Sequence, residues 1–107
     1  MKLTTTDYLP GYEVKEALGM VKGSMIKAKH IGKDIFAGLK QIVGGELKGY
    51  TDMINEARDE AIKRMKEDAS KLEADAIINV RLVTAEVMQG AAEVLAYGTA
   101  VKLSKKA

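Results

Sequence analysis

The chain contains no cysteine. That single absence removes disulfides, thiolate nucleophiles and thiolate metal sites, and it fits a reducing compartment. Tryptophan is also missing, and there is one phenylalanine, one proline and one histidine. One histidine without cysteine gives a lone chain no tetrahedral zinc site, and so few aromatics leave little on which bases could stack. No apolar run approaches the roughly 18 residues of a membrane span, and Met1 to Asp7 lacks the apolar stretch of a signal peptide, so a cytoplasmic protein with no membrane partner is expected. Charge of one sign is lacking too: 17 basic residues face 15 acidic ones, a net of +2. Interspersed signs give little long-range pull on polyanions. Lys22, Lys27, Lys29, Lys33 and the tail lysines Lys105 and Lys106 make a modest basic edge, and nucleic acid is not an expected partner.

What is present describes one folded domain, residues 1–107. Hydrophobic residues make up 47% of the chain and charged residues 30%, too apolar for disorder. Leu9-Pro10-Gly11 marks a turn after a short first strand, because proline fixes its own φ and biases Leu9 toward extended backbone. Tyr12, Val14, Leu18 and Met20 keep a period of two that breaks at Glu16, as in a half-buried strand. Lys22-Gly23 then reads as a two-residue hairpin that sets Met20 opposite Met25 and Lys15 opposite His30. Ile35, Phe36, Leu39, Ile42 and Val43 follow at helical spacing, so a first helix is expected over about Lys33 to Val43. Gly44-Gly45 ends it, and Gly44 to Tyr50 reads as a loop.

The back half carries the clearest pattern. A long helix is expected from Thr51, as its cap, to Leu72, with Ile54, Ala57, Ala61, Met65, Ala69 and Leu72 on one narrow apolar stripe. Glu60 with Arg64 is among its favourably oriented i,i+4 pairs. Ala76 to Met88 alternates through Ile78, Val80 and Leu82, then changes phase at Val83, which suggests a bulge or burial on both faces. Gln89-Gly90-Ala91 turns the chain into a return strand from Ala92 to Leu103. Thirteen extended residues reach about 43 Å, too far for one helix layer to cover, so closure by copies of the same chain is the expected solution.

Reactive chemistry is sparse. Ser24 and His30 are the one plausible serine and base, and six residues of strand set them roughly 20 Å apart. Gly44 to Gly49 before a helix approximates a phosphate loop, but Tyr50 stands where the decisive lysine belongs. Glu56 and Glu60 fall on a solvated helix flank. Asn79 and Arg81, polar on an otherwise apolar strand, are the candidate ligand-binding residues, since a guanidinium binds carboxylate or phosphate. Pairing of Arg81 with an acid across the sheet is the plainer reading. No catalytic residue is expected.

Several ordered motifs resemble the YbjQ-like family. They are Thr4-Thr5-Thr6, Pro10-Gly11-Tyr12 and Leu18-Gly19 at the front, Asp34 to Leu39 and Ile42 to Gly45 in the middle, and Tyr97-Gly98-Thr99-Ala100-Val101 at the end. The resemblance runs from Leu3 to Leu103. It implies an α+β subunit of two layers, a twisted antiparallel sheet on helices, assembling into a ring-like homo-oligomer, commonly a pentamer. It also implies a heavy metal ion as the one possible cofactor and no established activity. Within the chain the candidate metal ligands are Met20, Met25 and His30, since soft thioethers suit soft metals, although methionine more commonly fills core gaps. A ring could also repeat one ligand about its axis, making a metal or small-ligand site at subunit interfaces or in the lumen. One position departs from the family: a glycine usually follows the long helix where this chain has Glu73, so strain of about 1 kcal/mol or a different helix end is expected there.

Overall fold

A computed structural model describes residues 1–28 and 48–107. The expected first helix, most of the glycine loop before the long helix, and His30 lie outside the described residues. Strands β1 (Lys2–Leu3), β2 (Tyr12–Ala28), β3 (Ala76–Met88) and β4 (Ala91–Lys105) form one sheet in the order β1-β3-β4-β2, and helix α1 (Lys48–Ser70) lies on it. The long hairpin is as expected: β3 and β4 pair antiparallel, and Met88 opposite Ala91 leaves Gln89-Gly90 as the turn, with Gly90 at φ 78°. The sheet itself is mixed rather than purely antiparallel. β1 runs parallel to β3, with Lys2 opposite Ala76, because the chain returns to β1 only after the crossover through β2 and α1.

The hairpin expected at Lys22-Gly23 is not formed. β2 continues through both residues as one 17-residue strand and pairs with β4 from Tyr12–Lys105 to Ala28–Ala91. Gly23 has a different purpose. A Cβ there would collide with the backbone of Ala61 and Met65, so its hydrogen lets α1 settle directly on the strand. The broken alternation near Glu16 has a counterpart in two register shifts, between Val14 and Glu16 and between Ala17 and Gly19. Each inserts an extra residue and twists the strand.

Helix α1 starts earlier and stops earlier than its pattern suggested. Thr51 lies inside it and is not the cap, while Leu72 lies beyond it and is 43% exposed. The buried stripe is Met53, Ile54, Ala57, Ala61, Met65 and Ala69. Ala57, Ala61, Met65 and Ala69 meet Val21, Val94, Ala96, Ala100 and Ile77 on the sheet, forming the main core, while Met53 and Ile54 pack with Ala92 in a smaller cluster. Each large side chain buried there contributes roughly 1.5–3 kcal/mol, and alanines on both surfaces bring the layers close. The helix ends in a 6→1 bond from the Ala74 amide to the Ala69 carbonyl (3.2 Å) and a bond from the Glu73 amide to the Ser70 carbonyl (3.0 Å). Glu73 takes the left-handed position at φ 58°. This is the glycine-type C-cap built with a glutamate.

The helix covers one face and not all of it. Its 23 residues make about 35 Å, whereas β2 reaches about 56 Å. The Cα extents of 58 × 26 × 16 Å and a radius of gyration of 17.5 Å, against about 13 Å for a compact chain of this length, express the same mismatch. Because α1 sits over β2 and β4, the far half of β3 is left exposed from Arg81 to Met88. On the opposite face, Leu9 and Leu103 cover Ala76, Ile78 and Val101.

Candidate functional site

The most organised polar region lies where the N-terminal segment meets β3. There β3 carries an extra residue: Ile78 faces Thr99 and Arg81 faces Tyr97, so Asn79 and Val80 together oppose Gly98. Asn79 stands at φ 54°, a left-handed conformation that asparagine tolerates better than most residues. Gly98 makes room for the bulge, since a Cβ there would sit 2.7 Å from Ile77 Cγ2 and 2.9 Å from the Ile78 carbonyl oxygen. The phase change expected near Val83 is therefore a bulge placed three residues earlier.

The bulge turns two amides outward, and the threonine segment takes them. Asn79 N–H donates to the Thr6 carbonyl and Val80 N–H to the Thr4 carbonyl, both at 2.9 Å, while Thr4 N–H donates to Ile77 O at 3.0 Å. The segment is braced from within. Thr6 donates its hydroxyl proton to the Tyr8 carbonyl (2.7 Å), leaving the Thr4 hydroxyl to donate to Thr6 Oγ1 (2.7 Å). Leu9 to Tyr12 then closes a type II turn, with proline second, Gly11 third at φ 84° and the Tyr12 amide bonded to the Leu9 carbonyl (3.1 Å). Arg81 completes the clamp. Its Nη1 donates to the Thr5 carbonyl (2.8 Å) and to the carbonyl of its neighbour Val80 (2.9 Å).

Asn79 and Arg81 are thus brought together, and their visible work is to hold the first strand region onto β3. The guanidinium pairs with backbone carbonyls rather than with the cross-strand acid suggested by pattern. What sequence reasoning missed was the partner. The signal was Thr4-Thr5-Thr6, three short hydroxyl residues able to brace an extended segment through their own backbone.

The proposed methionine pair does not form within one chain. With β2 continuous, Met20 and Met25 are five residues apart, about 16 Å, and an odd separation sets them on opposite faces. Met20 is 71% exposed beside Thr99, and Met25 packs against the core. Among the described residues no group of three or more His, Cys, Asp or Glu side chains is placed to hold a metal ion. The donor set of the described residues therefore does not fit a metal within one subunit. No helix among them is long and apolar enough to cross a membrane.

A family model described as "Putative heavy-metal-binding", YbjQ_1, matches residues 1–104. The chain belongs to the YbjQ-like family. Similar proteins within it include a UPF0145 protein of Methanosarcina acetivorans, 57% identical over 99% of this chain and 100% of its own length. Another from Thermotoga maritima is 55% identical over 98% of this chain and 99% of its own length. One from Archaeoglobus fulgidus is 58% identical over 94% of both chains. Among solved structures, a protein of unknown function from the DUF74 family of Pediococcus pentosaceus superposes with a TM-score of 0.66. It is 24% identical, with 97% of this chain and 98% of that chain covered, so the YbjQ-like chain shares its fold.

Proposed function

We propose that this protein is a cytoplasmic, self-assembling subunit with a structural or interaction role and no catalysis, and that its working form is a closed homo-oligomer. Five copies are proposed on the family resemblance alone. The observation that carries the reading is the exposed far half of β3. Leu82, Val83, Val87 and Met88 are 43%, 48%, 51% and 59% exposed along β3, whose outer side beyond Ile77 has no strand partner among the described residues. A bare apolar edge of that length is an aggregation hazard in a monomer, and pairing with a second copy removes it. The elongated sheet, longer than its helix, supports the same conclusion.

A second reading is a metal- or small-ligand-binding module. The family description favours it, and the lack of a metal cluster among the described residues of one subunit directs it to a site that symmetry would assemble. One experiment addresses both. Native mass spectrometry of untagged protein, purified without chelator and compared before and after chelation, should give one oligomeric mass that chelation leaves unchanged. A stoichiometric metal adduct lost on chelation would move the argument to the second reading. A folded monomer at micromolar concentration would overturn the first.

A further inference from the structure

In an antiparallel ladder, residues two apart on an edge strand turn their N–H and C=O to the same side. On β2, Lys22 and Ser24 turn theirs away from β4, and the helix has taken one group of each. The Lys22 amide donates to Asp68 Oδ2 at 3.1 Å, and Arg64 Nη1 donates to the Ser24 carbonyl at 2.6 Å. Arg64 is itself held by Glu60, with Nε 3.3 Å from Oε1. Gly23 lies between the two capped residues, at the point where only a hydrogen allows α1 to press on the strand. The close approach is what lets two side chains one turn apart reach around the edge.

A strand adding to β2 would need these same backbone groups for its own ladder. We propose that Asp68 and Arg64 form an edge cap that closes β2 to strand addition by a second copy of the chain, confining strand pairing between copies to the other side of the sheet. The inference rests on the self-assembly reading and adds the reason why strand addition does not run on from sheet to sheet through β2. The rest of β2 is consistent with a defended edge. Its first half carries Glu13, Lys15 and Glu16 and two register shifts, each of which discourages a flat partner strand.

The test is the full-length Arg64→Ala/Asp68→Ala variant beside Arg64→Lys/Asp68→Asn, which keeps a donor and an acceptor. Hydrogen exchange at the Lys22 amide and sedimentation velocity over a concentration series are the two readouts. In the double alanine variant the amide should exchange about tenfold faster or more, the equivalent of one lost hydrogen bond, and species heavier than the wild-type oligomer should accumulate with concentration. The conservative pair should match wild type in both. Fast exchange with an unchanged mass distribution would overturn the proposal, as would slow exchange in the double alanine variant. Asp68→Ala alone, at a half-buried position on the flank of the helix, repeats the test if the double variant fails to fold. A wild-type monomer whose capless variant alone self-associates would refute the self-assembly reading and leave the cap standing.

Discussion

The two long edges of the sheet are treated in opposite ways. Among the described residues β2 has no strand partner on its outer side, yet it is twisted by two extra residues, charged at Glu13, Lys15 and Glu16, and bonded by Asp68 and Arg64 at its centre. β3 is paired by β1 at Ala76 and Ile77 and gripped by Thr4 and Thr6 at the bulge; past Arg81 its outer side meets no strand among the described residues, with Glu86 the one charge between Leu82 and Met88. A protein with no use for either edge would be expected to defend both. Defence of one alone supports the proposal that copies meet at the other.

Gly23→Val should break this comparison most severely. Its branched side chain would meet the backbone of Ala61 and Met65, which cannot swing aside as a flexible side chain can. A loss of about 3 kcal/mol or more is expected by chemical denaturation, since overpacking at backbone is costly. Any folded remainder should show fast exchange at Lys22, because a displaced helix carries its cap away and leaves β2 as bare as β3. Next comes Val83→Lys, at a residue already 48% exposed. Subunit stability should change by no more than about 0.5 kcal/mol, while the oligomer should dissociate at roughly tenfold higher concentration, a charge on the used edge. An unchanged dissociation profile would remove β3 from the interface. Arg81→Ala should cost about 1 kcal/mol by releasing the Thr5 carbonyl, with faster exchange at Asn79 and Val80 as its signature and no change at Lys22.

Much of the contrast is legible in the sequence. The apolar stripe of α1 and the alternation of β3 and β4 gave the layers, because helix and strand burial leave different periods in sequence. The bare length of the hairpin followed from arithmetic on the strand. Gly23 misled because a glycine after a polar residue is a turn signal locally, whereas here the reason for glycine is a helix that lies some forty residues away in sequence. Asn79 and Arg81 were conspicuous as polar residues on an apolar strand, but their partners are backbone carbonyls of Thr5, Thr6 and Val80, which no side-chain pattern announces. The cap on β2 was hidden for the same reason. Asp68 and Arg64 look like solvated helix flank residues, and their acceptor and donor are main-chain groups exposed only by the order of the strands.

The smallest effect tests whether helix stability and edge chemistry are separable. Glu73 occupies the left-handed C-cap position at φ 58°, where a side chain costs about 1 kcal/mol relative to glycine. Glu73→Gly should therefore stabilise the subunit, though by somewhat less, about 0.5 kcal/mol, because glycine also gives the unfolded chain more freedom. For a domain of about 100 residues that is a rise in Tm of roughly 2–4 °C. The position lies beyond the last turn of α1 and touches neither edge, so exchange at Lys22 and the oligomer mass should both stay at their wild-type values. A lower Tm would mean that Glu73 makes a compensating interaction worth more than its strain. A change in oligomer mass would mean that the helix end, and not the strand edges alone, takes part in assembly.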